Sequence, residues 1–376
     1  MSDAPVVGPP TAWVHTGYTQ QLHFGAGAVD RLGEVLKGLG ARRAMLITTA
    51  GRFQSDDGAR VRKAMGRILA SSFAEALAHV PTTAVREAGL EARRDAVDAV
   101  VSFGGGSCAD LAKAVCYFSE QESGTPGASY ADRPAILHVS VPTTYSGAEL
   151  TPFFGMTDPA TRQKQGAGGP TIAPIAAVYD PELTLATPAR VSAETGMNAL
   201  AHCVEAAWSP TRTPEAEAIA LAGAHRIHAA LPKVVEAPDD LAARTDMLQG
   251  AVLGGRCLQN GSMGVHHGLA QLVGGRTGIP HGLANAMILP HAIRYNADTV
   301  PWAIAGLALS MGVADPADAV ADLVRRLGLP TGLRECGVTE EDLDAVAQLS
   351  QSNGNVLNNP RPVSEEDARA ILAAAY

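Results

Sequence analysis

Cysteine is sparse and scattered: Cys108, Cys116, Cys203, Cys257 and Cys336 form no C-x-x-C pair, and their number is odd. That pattern argues against a disulfide framework and for a reducing cytoplasm. Basic charge is also lacking, since 29 Lys and Arg stand against 38 Asp and Glu for a net charge of −9. Nucleic acid demands the opposite balance, so no nucleic-acid partner is expected. No run approaches the roughly 18 apolar residues of a membrane span. Met1 to Pro10 holds neither a basic n-region nor an apolar h-region, so neither membrane nor secretion signal is expected. Repeats and low-complexity tracts are missing too. What is present is 376 residues, 46% hydrophobic and 18% charged, which describes an ordered globular chain long enough for two domains.

The first half alternates short apolar runs with helical text. Ala44 to Thr48, Ala99 to Phe103, Ala135 to Val141 and Ile175 to Tyr179 have strand length and partial β-branching. Such alternation predicts a parallel sheet flanked by helices. After Asp180-Pro181 the text turns helical, over Pro188 to Trp208, Pro214 to Glu236, Leu241 to Gly254, Pro316 to Leu327 and Glu340 to Leu349. A boundary near residue 185 follows: an α/β domain over 1–185 and an all-α domain over 186–376.

Two loops in the α/β half carry chemistry. Phe103-Gly104-Gly105-Gly106-Ser107 follows a strand and precedes a helix beginning near Ala109. Bare glycine backbone lets N–H groups approach a diphosphate at a helix N-terminus; a tight turn with Ser107 as the cap is the structural alternative. Pro142-Thr143-Thr144-Tyr145-Ser146-Gly147-Ala148-Glu149 follows another strand, and its hydroxyls suit a ribose or diphosphate. Both loops fall at carboxyl ends of strands, where open α/β sheets bind ligands.

The second half carries histidines. In Gly196-Met197-Asn198-Ala199-Leu200-Ala201-His202, Asn198 and His202 share a helix face if the segment is helical. Gly264-Val265-His266-His267 and Pro280-His281 follow. His202, His267 and His281 form a candidate metal or proton-transfer set, with His266 and His291 read as structural or rim positions. An amide at 198 brings no negative charge, so a hard cation held there would lack the anionic oxygen donor it favours.

Together, Gly-Gly-Gly-Ser with Asp110 and Lys113, Pro-Thr-Thr-x-Ser-Gly-x-Glu, Gly-Met-Asn-Ala-Leu-Ala-His and Pro-His-Gly resemble the iron-containing alcohol dehydrogenase superfamily. The resemblance runs from Phe24 to Pro362. It implies a Rossmann-like nucleotide-binding domain, a helical domain of the dehydroquinate synthase-like plan and a catalytic cleft between them. Metal-binding members place Asp, His, His and His at the positions of Asn198, His202, His267 and His281. Asn198, the His266-His267 pair and Tyr179 to Thr184 are most similar to the maleylacetate reductases, which reduce the C=C bond of maleylacetate to 3-oxoadipate in aromatic degradation, with NADH or NADPH and without a metal.

The implied sites follow. Gly104, Gly105, Gly106, Ser107, Asp110, Thr143, Thr144, Ser146, Thr48 and Thr49 serve the cofactor; His202, His267, His281 and Asn198 serve the substrate, a dicarboxylic or keto acid, and the family habit implies a homodimer. Leu46 to Gly51 offers threonines where many dinucleotide enzymes place an acid, so NADPH is expected to be tolerated beside NADH. Three departures from the reductase pattern bear on the substrate: Gln271 in place of a histidine, no aromatic residue in Asn353 to Leu357, and Gly168-Gly169-Pro170 in place of a more basic stretch. Iron- or zinc-dependent alcohol dehydrogenation, a lyase of the dehydroquinate synthase kind and a non-catalytic nucleotide-binding relative remain as alternatives.

Overall fold

The structure is a computed structural model that describes residues 5–17, 19–161 and 164–376. The start of the segment Met1 to Pro10 therefore lies outside the described residues. Two compact units are found, Thr16–Thr187 and a second comprising Pro188–Tyr376 with the described residues before Thr16.

The amino-terminal unit runs β1 (Gln21–Phe24), α1 (Leu32–Gly38), β2 (Ala44–Ile47), α2 (Ala50–Gln54), α3 (Asp56–Met65), β3 (Leu69–Phe73), α4 (Thr82–Arg94), β4 (Ala99–Gly104), α5 (Gly106–Ser123), β5 (Leu137–Pro142), β6 (Phe153–Thr157), β7 (Lys164–Gly168) and β8 (Ala176–Tyr179). Six strands pair in the order β1-β8-β5-β4-β2-β3, every pair parallel. Residues of β2, β4, β5 and β8 are buried throughout, which is why they read as continuous apolar runs rather than alternating ones. One face packs Leu46, Val101, Phe103 and Val139 with Leu32, Val61 and Met65; the other packs Met45, Ile47 and Val100 with Val85, Ala88 and Leu111. Burying both faces covers the sheet and leaves the strand ends as its accessible chemistry.

Four strands escaped the sequence reading. β1 is an exposed edge strand, β3 is half-buried Leu-Ala-Ser-Ser-Phe, and β6 and β7 form an antiparallel hairpin of Phe-Phe-Gly-Met-Thr against Lys-Gln-Gly-Ala-Gly. None shows the long apolar run of a central strand.

The carboxy-terminal unit is helical: α6 (Ala189–Trp208), α7 (Pro214–Glu236), α8 (Leu241–Asn260), α9 (Val265–Thr277), α10 (His281–Asn296), α11 (Pro301–Met311), α12 (Pro316–Arg326), α13 (Glu340–Ser350), α14 (Gly354–Leu357) and α15 (Glu365–Ala374). Side chains cap many of these starts: Thr213 accepts from Ala216 N, Asp240 from Ala242 N, Asp315 from Asp318 N, and Thr339 and Ser364 form capping boxes with Asp342 and Asp367. No single helix among the described residues is long and apolar enough to cross a membrane.

Candidate active site

In the amino-terminal unit the two strand-end loops meet. β4 ends at Gly104, whose φ of +145° suits glycine, and a β-carbon there would come 2.6 Å from Cys108 Sγ. A β-carbon on Gly105 would lie 3.1 Å from Thr144 Cγ2, and one on Gly106 3.1 Å from Ser146 Oγ. Bare backbone is what allows the loops to touch. Gly105 is the N-cap of α5 and no side chain closes the helix start. Ser107 lies within the first turn, so the cap role is not its own. Free N–H groups at that start are suited to an anion.

Thr143 and Thr144 are buried, and neither Oγ1 has a hydrogen-bond partner. A buried hydroxyl without a partner is costly, and a ligand oxygen or water would relieve it. The cradle therefore fits a nucleotide diphosphate and sugar. Thr143 itself is anchored through its backbone, whose N donates to Gly104 O at 2.9 Å while its carbonyl accepts from Thr187 Oγ1 at 2.7 Å.

Other expected cofactor residues have local tasks. Thr48 is fully buried and donates to Phe103 O at 2.7 Å, tying β2 to β4, while Thr49 caps α2. Asp110 pairs with Lys113 Nζ at 2.8 Å and accepts from Gly155 N. Lys113 is fully buried and also donates to Ala148 O and Thr151 Oγ1 at 2.9 Å each and to Phe153 O, so this pair fastens the segment after Ser146 to α5. Gly168 closes β7 and Gly169 N donates to Pro152 O, so that stretch belongs to the hairpin of the amino-terminal unit.

In the carboxy-terminal unit α6, α9 and α10 bring the histidines together. Asn198, His202 and Glu205 fall on one face of α6, and all three are buried. The His202 and His267 rings stack with centroids 4.8 Å apart, and His281 lies 6.1 Å from His267. His202 Nδ1 and His267 Nε2 are buried without partners. Burial, reinforced by the neighbouring His267 and His281, pulls the His202 pKa far below its ordinary value.

Two residues that the sequence reading set aside or passed over complete this cluster. His266, expected as a structural or rim position, is fully buried: its Nε2 donates to Asn285 O at 3.0 Å, and its Nδ1 lies 3.2 Å from His267 Nδ1. Glu205, also fully buried, takes His267 Nδ1 at 2.6 Å and accepts from the backbone N–H groups of His266 and His267 at the start of α9. Although burial alone would raise its pKa, bonding with His266 and His267 holds the Glu205 carboxyl far below the usual range. The contact needs a glycine beside it, because a β-carbon on Gly264 would lie 2.9 Å from Glu205 Oε1. The detectable signal for Glu205 was a single acid inside the otherwise uncharged run from Gly196 to Trp208.

The outer part of the cluster is amide-rich. Gln271, one turn beyond His267 on α9, accepts from Asn355 Nδ2 at 3.1 Å, and Asn353 caps α14. Segment 353–357 thus packs on α9 without aromatic residues.

A metal requires donors that suit it. Asn198 Oδ1 accepts from Asn285 Nδ2 at 2.6 Å, so the fourth position offers a neutral amide oxygen already engaged. Three imidazoles and this amide supply no negative charge to a hard divalent cation, and Glu205 is committed to His267 and the α9 backbone. An ion at Asn198, His202, His267 and His281 would meet three neutral imidazoles and a neutral amide, while the ligand atoms of Glu205, His266 and His267 lie within 4.8 Å of one another.

The chain matches the model for iron-containing alcohol dehydrogenase over residues 19–181 and that for the carboxy-terminal domain of the Fe-containing alcohol dehydrogenase family over residues 192–376. It belongs to the iron-containing alcohol dehydrogenase family, a class of oxidoreductases. Within that class it is similar to the maleylacetate reductase of Burkholderia cepacia, with 37% identity over 94% of each chain. The crystal structure of maleylacetate reductase from Rhizobium sp. strain MTP-10005 superposes with a TM-score of 0.86 at 34% identity, over 98% of this chain and 99% of that one. An iron-containing alcohol dehydrogenase from Corynebacterium glutamicum gives a TM-score of 0.85 at 27% identity over 97% of each chain. Backbone shape is thus shared across different chemistries, and the side chains must distinguish them.

Proposed function

We propose that this oxidoreductase is a maleylacetate reductase that uses NADH or NADPH and requires no metal. The observation that carries the metal-free reading is Asn198, an amide held by Asn285 where a metal site wants an anion. Gly104 to Ser107, Thr143, Thr144 and Ser146 serve the cofactor, with Asp110 acting through Lys113 to hold their loop. When bound, reduced nicotinamide supplies a hydride to the alkene carbon β to the ketone. The C=C π bond breaks, negative charge gathers on the ketone oxygen as an enolate, and a proton delivered to the α carbon completes the saturated product, 3-oxoadipate. In the carboxy-terminal unit the buried imidazoles of His202 and His267 and the half-buried imidazole of His281 stabilise the charged oxygen, and Asn198 orients them through its amide. A dimer in the cytoplasm belongs to the same reading.

The experiment is oxidation of NADH and NADPH by the purified protein with maleylacetate, beside simple aldehydes and keto acids, before and after chelation with metal analysis. Rapid maleylacetate turnover in metal-free protein is expected. Turnover restored only by iron or zinc would overturn the metal-free part, and aldehyde reduction without maleylacetate turnover would overturn the substrate.

A further inference from the structure

Two hydrogen bonds decide which nitrogen of His267 carries its hydrogen. His266 Nε2 meets the Asn285 carbonyl at 3.0 Å, and a carbonyl only accepts, so in the neutral His266 ring the hydrogen sits on Nε2 and Nδ1 is a lone pair. His267 Nδ1 faces that lone pair at 3.2 Å and the Glu205 carboxylate at 2.6 Å. Two acceptors confront one nitrogen, so that nitrogen holds the hydrogen. His267 Nε2 is then the free position, and it is buried with no partner.

We infer that Glu205 is a positioning residue of the reaction: by holding His267 Nδ1–H it fixes the ring's tautomer and orientation and leaves Nε2 as the atom that meets the substrate oxygen. This deepens the proposed reduction and rests on it for the identity of that oxygen. Glu205 also accepts two backbone N–H groups at the start of α9, so a purely structural cap is the reading it must be distinguished from. A cap acts through folding, whereas a tautomer lock acts on turnover in folded protein.

The test has two arms on the full chain. In protein labelled with nitrogen-15 histidine, with His267→Gln for assignment, His267 is expected to show a protonated Nδ1 and a bare Nε2; the reverse pattern overturns the inference whatever the activity. Glu205→Gln keeps an acceptor oxygen and loses the charge. Its kcat with maleylacetate is expected to fall about 100-fold or more, with the nucleotide KM within about twofold and Glu205→Asp recovering part of the loss. Loss of kcat only in proportion to the unfolded fraction in both variants would overturn it. A wild-type protein with the expected nitrogen pattern but no maleylacetate turnover overturns the proposed substrate and leaves the positioning role of Glu205 standing.

Discussion

The nucleotide cradle at the ends of β4 and β5 is made by removing side chains, whereas the histidine cluster of α6, α9 and α10 is made by crowding them. At Gly105 and Gly106 two loops approach because no β-carbon intervenes, and the unpartnered groups left over are hydroxyls. At His202 and His267 rings stack in a buried pocket, and the unpartnered groups are ring nitrogens. In the proposed function the first arrangement takes an anion by backbone geometry. The second holds side chains for charge that forms during the reaction. The contrast makes binding and turnover separable under that proposal, with different lesions for each.

The sharpest break should come from His267→Ala. It is expected to lower kcat by about 10²- to 10⁴-fold while nucleotide affinity, measured by fluorescence titration, stays within about twofold. Equal loss of both would erase the distinction between the two regions. Asn198→Asp restores an anionic oxygen to the cluster, so affinity for iron or zinc, read by metal analysis after dialysis, should rise at least about tenfold. No gain in metal would place the obstacle elsewhere than residue 198. Gly105→Val is the mirror of the first test. Its bulk meets Thr144 at a position where a β-carbon alone would lie 3.1 Å away, so the nucleotide KM should rise about tenfold with kcat changed far less.

A separate effect, on stability rather than turnover, concerns the sheet beneath the cradle. His138 on β5 is fully buried, with Nε2 2.8 Å from Ser102 Oγ, and burial, helped by the charge on Lys113, pulls its pKa down from 6.5 to about 3. Below pH 6.5 the unfolded chain takes a proton at this ring and the folded one does not. Stability should therefore fall as pH drops through 6.5 towards 3, by up to about 1.4 kcal/mol per pH unit from this group. Urea melts at pH 7 and about pH 5 would measure it, and His138→Gln should flatten the dependence.

The legible parts of the molecule were those where one residue type serves one purpose. The central strands β2, β4, β5 and β8 announced themselves by burial on both faces, and α6, α7 and α8 by length and turn residues at their ends. The helices α9 and α10 did not, because many of their positions are buried around much of the circumference, so no amphipathic stripe marks them. Asn198 and His202 were legible as a pair at helical spacing, and the family resemblance joined His267 and His281 to them. Glu205 and His266 were not, since a helix glutamate usually faces solvent and the first of two adjacent histidines gives no hint of which points inward. Their roles depend on contacts between α6, α9 and α10 that span sixty residues of sequence. Thr48, expected at the cofactor, has its hydroxyl closing a bond across the sheet to Phe103 O, a contact its sequence position gave no hint of.

The contact between Gln271 and Asn355 has a consequence for how such an enzyme diversifies. It joins two uncharged amides of similar reach at the edge of the cluster, one on α9 and one on the short α14. Neither amide bonds to the Glu205 network that fixes His267. If this edge borders the substrate in the proposed reduction, replacements at these two positions would alter which acids are accepted while the Glu205–His267 contact stays in place, so a lineage could drift in diet before it drifts in mechanism.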